Sequence, residues 1–269
     1  MPLVDTHCHI QSIGQKIGER HTRELWVKAE TTAEDVIKRA QEADIEKLIC
    51  VGSDLEDSVL AVDFVNNREN CWASIGIHPH EAQDFANDAK KMAEFEELAS
   101  KPKVIAVGEC GLDYYYEHSP KKEQFEVFEK QLDIAKRHNL PLIFHVREAF
   151  EDFWPIYDNF GQLPGVLHSF TDNSANLEKA LERNLNIGVN GIATFAKDEQ
   201  LLNVYKSIPS QNLLLETDAP YLTPTPYRGS INEPMRVSAV ADFLAQLRDE
   251  DREELAAQTT ANANNLFRI

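Results

Sequence analysis

The sequence predicts a single-domain (β/α)8 TIM barrel that spans residues 1–269, and three observations support this prediction. Short, almost continuously apolar runs alternate with amphipathic runs along the whole chain, as expected for parallel strands that helices cover on both faces. The chain contains eight such strand-like runs in 269 residues, which matches the strand number and the length of one barrel. The alternative, a doubly wound sheet, usually has a glycine-rich first turn, but the chain contains no G-x-G-x-x-G or Walker motif.

The eight predicted strands are short and nearly continuously apolar. In chain order they are Leu3–His7, Lys47–Val51, Trp72–Ile77, Val104–Gly108, Leu142–Val146, Val166–His168, Asn186–Val189 and Leu213–Glu216. Because almost every position in these runs is apolar, we expect both faces of the sheet to be buried.

Helical patterns fill most of the intervals between these strands. Thr31 and Glu34 have the spacing of a capping box, which predicts a helix from Thr31 to Ala43. Ser119 and Pro120 predict the start of a long helix, because proline favours the first helical turn. Near the end of the chain, an apolar stripe with helical spacing predicts a further helix. The residues of this stripe are Val237, Val240, Ala241, Leu244 and Leu247.

One interval departs from this pattern. Residues Ile10–Glu30, between the first strand and the first predicted helix, show no clear periodicity. A loop of about twenty residues is usually functional or mobile. The segment has a net charge of +1, with Lys16, Arg20, Arg23 and Lys28 against three glutamates. Because it directly follows the first strand, we expect it to lie at the active-site rim of the barrel.

The composition limits the possible partners. Asp and Glu number 45 against 27 Lys and Arg, a net charge of −18, so the chain lacks the basic surface that stable binding along duplex DNA requires. A compact site for one phosphate or one chain end is compatible with this charge. No apolar run is long enough for a membrane span, and the first residues lack the pattern of a signal peptide. We therefore expect a cytoplasmic protein without membrane contact.

The four cysteines are not arranged as a metal or disulfide motif. They are Cys8, Cys50, Cys71 and Cys110, and none belongs to a Cys-x-x-Cys pair. All four lie in or beside apolar, strand-like runs. We therefore expect buried free thiols, as in a reducing compartment.

Histidines and carboxylates stand at the ends of five predicted strands. Barrel enzymes place their active sites at the carboxyl ends of the strands, so these side chains should converge. His7 and His9 are separated by one residue in an extended strand, so their side chains should face the same cation. In chain order the six candidates are His7, His9, Glu109, His145, His168 and Asp218.

We interpret this set as a site for two divalent metal ions. Without a cation, two carboxylates would be buried among imidazoles with little hydrophobic benefit. Six ligands exceed what one tetrahedral ion takes, especially when a catalytic site keeps one position open. Two ions bridged by a carboxylate fit better. The residues do not determine whether the metal is Zn, Mn or Mg, although four histidines favour a transition-metal ion.

Several motifs together resemble the TatD family of metal-dependent deoxyribonucleases, which belongs to the amidohydrolase superfamily. The resemblance extends from Val4 to Phe267. The motifs are Asp5-Thr6-His7-Cys8-His9, Gly76-Ile77-His78-Pro79-His80, Gly108-Glu109-Cys110-Gly111-Leu112-Asp113-Tyr114-Tyr115, Pro141-Leu142-Ile143-Phe144-His145-Val146-Arg147-Glu148-Ala149, His168-Ser169-Phe170 and Glu216-Thr217-Asp218-Ala219-Pro220-Tyr221-Leu222. The family's typical first loop is shorter than Ile10–Glu30, which puts the substrate preference in question and not the metal ligands.

The resemblance implies a ligand set and a reaction. One metal ion would be held by His7, His9, Glu109 and Asp218. The second would be held by Glu109, His145 and His168, so that Glu109 bridges the two. A water activated by both metals would cleave DNA phosphodiester bonds exonucleolytically. Asp218 would serve both as a ligand and as the base that takes the proton of that water.

The substrate contacts are expected at the rim. His78, His80 and Arg147 are candidates for binding phosphate. Tyr114 and Tyr115 either stack on a base or pack across the barrel mouth. The expected substrates are DNA ends or single-stranded DNA. The oligomeric state is not specified by the sequence.

The segment Ile10–Glu30 has two interpretations. As a lid, it would hold a strand end through its basic residues, with Trp26 as a stacking face. As a structural insertion, it would pack on the barrel or mediate self-association.

The function of the protein also has alternatives. A similar metal site hydrolyses other esters or amides in related barrels, and a non-catalytic accessory protein could bind metal in this way.

Overall fold

Eight parallel strands form the barrel that the sequence predicts. The computed structural model describes residues 1–116 and 118–269, and in it each strand pairs with the next along the chain. The strands are β1 Leu3–Cys8, β2 Ile45–Val51, β3 Cys71–Ile75, β4 Val104–Asp113, β5 Leu142–Arg147, β6 Gly165–Leu167, β7 Asn186–Val189 and β8 Leu213–Leu215. All eight predicted strands are confirmed, and only their bounds shift. The largest shift is in β4, which continues five residues beyond the predicted end at Gly108.

The last strand, β8, lies beside the first strand, β1. Thr6 Oγ1 in β1 donates to the carbonyl of Leu215 in β8 at 2.9 Å. Beyond the end of β8, the backbone N–H of Asp218 donates to the carbonyl of His7 at 2.8 Å. The N–H of His9 then donates to the carbonyl of Ala219, also at 2.8 Å. These bonds bring the two ends of the sheet together at the carboxyl side of the strands.

Helices connect and cover the strands. They are α1 Arg20–Ala29, α2 Ala33–Glu42, α3 Leu55–Val65, α4 Ala89–Leu98, α5 Lys121–His138, α6 Phe150–Phe160, α7 Ser174–Glu182, α8 Glu199–Ser207, α9 Val237–Arg248 and α10 Arg252–Phe267. The cap of α2 is Thr32, whose hydroxyl accepts from the N–H of Asp35 at 3.2 Å. The predicted capping pair of Thr31 and Glu34 was therefore wrong by one residue. None of the helices in the described part of the chain is long and apolar enough to cross a bilayer.

Both faces of the sheet are buried, as the sequence predicts. The neighbours Leu3 and Val4 in β1 belong to two different apolar clusters, since successive side chains of a strand point to opposite faces. The smaller cluster joins strand residues to Ala263 and Phe267 of α10. This helix also meets the start of β1, because Thr260 Oγ1 donates to the carbonyl of Pro2 at 2.9 Å. Helix α10 thus covers the amino end of the barrel, and the carboxyl end carries the candidate site.

The segment Ile10–Glu30 is more regular than the sequence analysis expected. It contains a short 3-10 helix at Ile10–Ser12 and the helix α1. The carboxylate of Glu19 caps α1 by accepting from the N–H of His21 at 3.0 Å. The periodicity was missed because the large apolar residues of α1 are adjacent in sequence instead of three or four apart. Trp26 is buried and its neighbour Val27 is exposed.

The four cysteines are buried and free, as predicted. Burial raises the pKa of the Cys110 thiol well above its ordinary value. Burial likewise raises the pKa of Cys8 and Cys50, whereas the contact with Cys50 lowers the pKa of Cys71. All four side chains contribute apolar packing to the core.

Candidate metal centre

The six predicted ligands meet at the carboxyl end of the barrel. Three groups of side chains each offer ligand atoms that lie within 4.8 Å of one another. The groups are His7 with Glu109 and His168, His7 with His9 and Asp218, and His78 with Glu109 and His145. The structure therefore brings all six candidates together. It also places His78, a predicted substrate contact, among the candidate ligands.

Glu109 occupies the middle of this cluster. One carboxylate oxygen, Oε2, lies 3.4 Å from Nε2 of His7. The other, Oε1, lies 2.7 Å from Nδ1 of His145 and 3.7 Å from Nε2 of both His78 and His168. The two oxygens thus face different histidines, which is the arrangement that a bridging carboxylate requires.

The backbone around Glu109 depends on glycine. The ladder between β4 and β5 changes register between Val107 and Cys110, which places the Glu109 side chain inside the barrel end. A Cβ atom at Gly76 would lie 2.2 Å from the backbone nitrogen of Glu109, so only glycine permits this close approach. A Cβ at Gly111 would similarly lie 2.0 Å from the carbonyl oxygen of His145. The motif glycines therefore allow the ligand-bearing strands to approach each other.

A second group surrounds Asp218. Its Oδ1 lies 3.3 Å from Nε2 of His9 and 3.7 Å from Nε2 of His7. Nδ1 of His9 lies 2.8 Å from the carbonyl oxygen of Val51, which orients the ring so that Nε2 faces the cluster. Partners of this kind fix the orientation of metal-binding histidines in proteins.

Two further carboxylates hold the histidines from behind. Asp113 Oδ2 lies 3.2 Å from Nε2 of His145 and 3.0 Å from Nε2 of His80. Glu216 Oε1 lies 2.9 Å from Nδ1 of His168 and accepts from the N–H of Ser169 at 2.7 Å. Both carboxylates belong to the motifs named above, but their roles were not predicted from the sequence. Asp113 lies four residues after Glu109, and Glu216 lies two residues before Asp218. Residues an even number apart in an extended strand share a face, so this spacing could have identified both carboxylates.

The charges of the cluster are strongly coupled. Burial alone would raise the pKa of Glu109, but the charge of the nearby His168 and the contacts with His145 and His7 hold this pKa well below its ordinary value. Burial also opposes protonation of His168, yet Glu216 and Glu109 raise its pKa to about 10. The carboxylates are therefore ionised, and they create a negative potential that favours cations.

The environment of His7 indicates whether these residues are suited to bind a metal ion. Burial, together with the nearby His168, lowers the pKa of His7, so its ring is neutral. Within the described ranges 1–116 and 118–269, neither ring nitrogen of His7 has a hydrogen-bond partner. An unpaired buried polar atom is unfavourable, whereas the lone pair of a neutral imidazole is a good metal ligand. The donor set therefore fits divalent cations.

The predicted phosphate contacts lie at different depths. His78 is mostly buried beside Glu109, and His80 is held by Asp113. Arg147 is exposed at the rim, where its guanidinium carbon lies 4.0 Å from the ring centre of Tyr115. The structure thus places the three candidates in a series from the metal cluster to the surface.

Two predicted stacking residues are not available for a base. Trp26 is only 2% exposed, and its Nε1 donates to the carbonyl of His9 at 3.0 Å. The proposed stacking face in the lid was therefore wrong, since the indole supports the backbone of a candidate ligand. Tyr114 donates its hydroxyl to Asp152 at 2.7 Å, and the ammonium of Lys121 lies 3.6 Å from its ring centre. Tyr114 therefore packs at the barrel mouth, the alternative that the sequence left open.

Comparison with known proteins identifies the family. The family model for TatD related DNase matches residues 4–268. The protein named 3'-5' ssDNA/RNA exonuclease TatD from Erwinia amylovora is 38% identical over 242 residues, which cover 86% of this chain and 92% of that protein. The uncharacterized metal-dependent hydrolase YabD from Bacillus subtilis is 37% identical over 269 residues, which cover 99% of each chain.

A solved structure gives the same result. The crystal structure of YjjV, a TatD homologue from Escherichia coli K12, superposes with a TM-score of 0.86 at 26% identity and covers 99% of this chain and 98% of its own. The fold, the cluster of histidines and carboxylates, and the family match over nearly the whole length all indicate the same family. The chain therefore belongs to the TatD family of metal-dependent hydrolases.

Proposed function

We propose that this hydrolase removes nucleotides from the ends of single-stranded DNA by cleaving phosphodiester bonds. The main observation in support is the position of Glu109, whose two oxygens face opposite sides of one cluster of histidines. The name of the Erwinia relative, a 3'-5' ssDNA/RNA exonuclease, supports the choice of substrate. The net charge of −18 also favours local recognition of a chain end over binding along a duplex.

Two divalent ions would be held by the residues at the barrel end. His7, His9 and Asp218 would hold one ion and His145 and His168 the other. The carboxylate of Glu109 would be shared by both. When bound, such a pair supplies Lewis acidity that activates water and stabilises negative charge on the phosphate.

Asp218 is the proposed general base. Burial alone would raise its pKa, but the contact with His9 and the charge of His168 lower it, so the carboxylate is ionised and able to accept a proton. Its Oδ1 faces the cluster, and the side chain is partly exposed to the cleft. A water in this cleft would transfer its proton to Asp218 as its oxygen attacks phosphorus. The ester bond from phosphorus to one sugar oxygen would break, and that oxygen would leave as a hydroxyl after taking up a proton.

His78, His80 and Arg147 are the proposed contacts to phosphate oxygens. Burial, together with the nearby His145, holds the pKa of His78 well below its ordinary value. Its neutral ring therefore offers a hydrogen bond close to Glu109. Arg147 adds a permanent positive charge at the rim, where the next phosphate of a strand would pass.

The alternative is hydrolysis of a different ester or of an amide at the same site. The name of the Bacillus relative specifies only a metal-dependent hydrolase, and related barrels use similar sites for several bonds. A non-catalytic metal-binding role would not require a carboxylate that faces two groups of histidines.

One experiment separates these functions. Protein stripped of metal is incubated with Zn, Mn or Mg and with single-stranded or duplex DNA labelled at either end. We expect stepwise shortening of the single strand with at least one metal, and slower shortening of the duplex. Absence of cleavage with all three metals would contradict the proposal. Internal cleavage would contradict its exonucleolytic part.

A further inference from the structure

Two exposed aromatic rings stand beside the metal centre. Tyr115 is 54% exposed and Tyr116 is 50% exposed. They lie two and three residues after the end of the long strand β4, which carries Glu109. Their rings meet edge to face, with centres 4.8 Å apart. We define this pair as the tyrosine platform. Neither Trp26 nor Tyr114 can replace it, because both are packed against other residues.

A guanidinium group supports the platform. The Cζ of Arg147 lies 4.0 Å from the ring centre of Tyr115 and 4.7 Å from that of Tyr116. Arg147 lies two residues after His145 in β5, and it is the ladder partner of Asp113 in β4. The cation therefore covers part of each ring. The ring of His118 also lies nearly parallel to that of Tyr116, with centres 5.8 Å apart. About half of each tyrosine nevertheless remains exposed to solvent.

Asp113 connects the platform to the metal centre. Its Oδ1 accepts from the backbone N–H groups of Tyr115 and Tyr116 at 2.8 and 3.0 Å. Its Oδ2 contacts His145, a candidate metal ligand, and His80. One buried carboxylate thus fixes both the turn that presents the tyrosines and the ring of a ligand. The position of the platform relative to His145 is therefore defined by contacts with a single carboxylate.

The tyrosine platform lies close to the candidate metal ligands. The ring of His80 lies edge to face against Tyr116, with centres 5.5 Å apart, and 6.4 Å from the ring of His145. The platform is therefore separated from a candidate ligand by a single imidazole. In a nucleotide, a single sugar separates the phosphate from the base. A phosphate at the metal centre thus brings its own base or the adjacent one to the tyrosines.

We propose that the tyrosine platform, supported by Arg147, is a subsite that stacks on a nucleobase next to the phosphate being cleaved. This inference rests on the proposed function and specifies its substrate class, a strand with unpaired terminal bases. Aromatic stacking accepts every base, because each has a π face, and it does not need the general positive field that this chain lacks. The subsite would favour substrates with bases over a bare sugar-phosphate chain, with little preference for sequence.

The test compares two oligonucleotides that differ only in their bases. One is a single strand of mixed sequence, and the other carries abasic residues at its three terminal positions on each end. For the wild-type protein, we expect kcat/KM to be about 5- to 150-fold higher for the strand with bases, the range that stacking of one base produces. In the double variant Tyr115→Ala/Tyr116→Ala, this ratio should fall towards 1.

The matched control is Tyr115→Phe/Tyr116→Phe, which keeps both rings and should keep the ratio. A ratio that the alanine variant leaves at the wild-type value would overturn the subsite, even if both rates fall, because a merely structural loss affects both substrates equally. A wild-type ratio near 1 would overturn it as well.

Failure of the proposed function is distinguishable from failure of the subsite. If the wild-type protein cleaves neither strand with Zn, Mn or Mg, the proposed function is wrong. The subsite is then tested by fluorescence anisotropy with the same labelled strands and metals. Tighter binding of the strand with bases, lost in the alanine variant and kept in the phenylalanine variant, supports it. Equal affinities for the two strands overturn it.

Discussion

At the scale of single residues, the Glu109 carboxylate has the largest expected effect. In Glu109→Ala, each proposed ion loses a ligand, and four histidines lose their shared anionic neighbour. We expect hydrolysis to be abolished and bound metal, measured by atomic emission, to fall below two ions per chain. Far-ultraviolet circular dichroism should change little, because the fold is held by the apolar clusters. Full metal content with near-normal activity would contradict the bridging role.

A substitution at Asp218 distinguishes a role as general base from a role as metal ligand alone. Asp218→Asn keeps the size of the side chain and one coordinating oxygen but removes the proton acceptor. We expect kcat to fall by about 10²- to 10⁴-fold, the usual contribution of general acid–base catalysis. The affinity for a single-stranded oligonucleotide, measured by anisotropy, should fall much less. A loss of affinity as large as the loss of kcat would show that Asp218 acts only as a ligand.

The residues of the site were predictable to different degrees. The six candidate ligands could be named because parallel strands in a barrel bring their carboxyl ends together. The depth of His78 and the contacts of Asp113 and Glu216 could not, because they depend on side-chain packing across strands that are distant in sequence. The choice between the two interpretations of Trp26 could not be made for the same reason, since the sequence alone does not show that its indole donates to the carbonyl of His9.

At the scale of secondary structure, continuous apolar runs were sufficient to predict the strands. They were less informative at the strand ends, where β4 continues through Glu109 to Asp113. This extension contains polar residues and glycines, which local patterns associate with loops. It forms a strand because β5 pairs with it up to Arg147. Helix α1 was missed for a related reason, because its burial depends mainly on one tryptophan instead of a stripe.

Helix α1 therefore gives a test of its own. Trp26→Ala removes a buried indole and the hydrogen bond to the carbonyl of His9. We expect a loss of about 3–5 kcal/mol in the free energy of unfolding, as for other buried aromatic residues, measured by urea denaturation. Trp26→Phe should cost less, because it keeps most of the packing. If the alanine variant is as stable as the wild type, α1 is not docked as described.

At the scale of the whole molecule, the charge determines how the substrate is found. A net charge of −18 cannot attract nucleic acid over a distance. Arg147 supplies one exposed positive charge at the rim. Binding should therefore depend on local contacts, on stacking and on metal ions. This is consistent with a preference for strand ends over long duplexes.

The salt dependence of KM measures the number of phosphate contacts. For single strands, the logarithm of affinity changes with the logarithm of salt by about 0.7 for each neutralised phosphate. With only a few contacts, we expect a slope below about 2 when KM for an end-labelled single strand is measured between 20 and 200 mM KCl, a range of about tenfold. Unlabelled duplex DNA without free ends should compete weakly over the same range. In Arg147→Ala, the slope should decrease by about 0.7, because the proposed contact with one phosphate is lost. A steep slope, near that of proteins that follow six or more phosphates, would mean that the chain binds nucleic acid along a track that its charge does not predict.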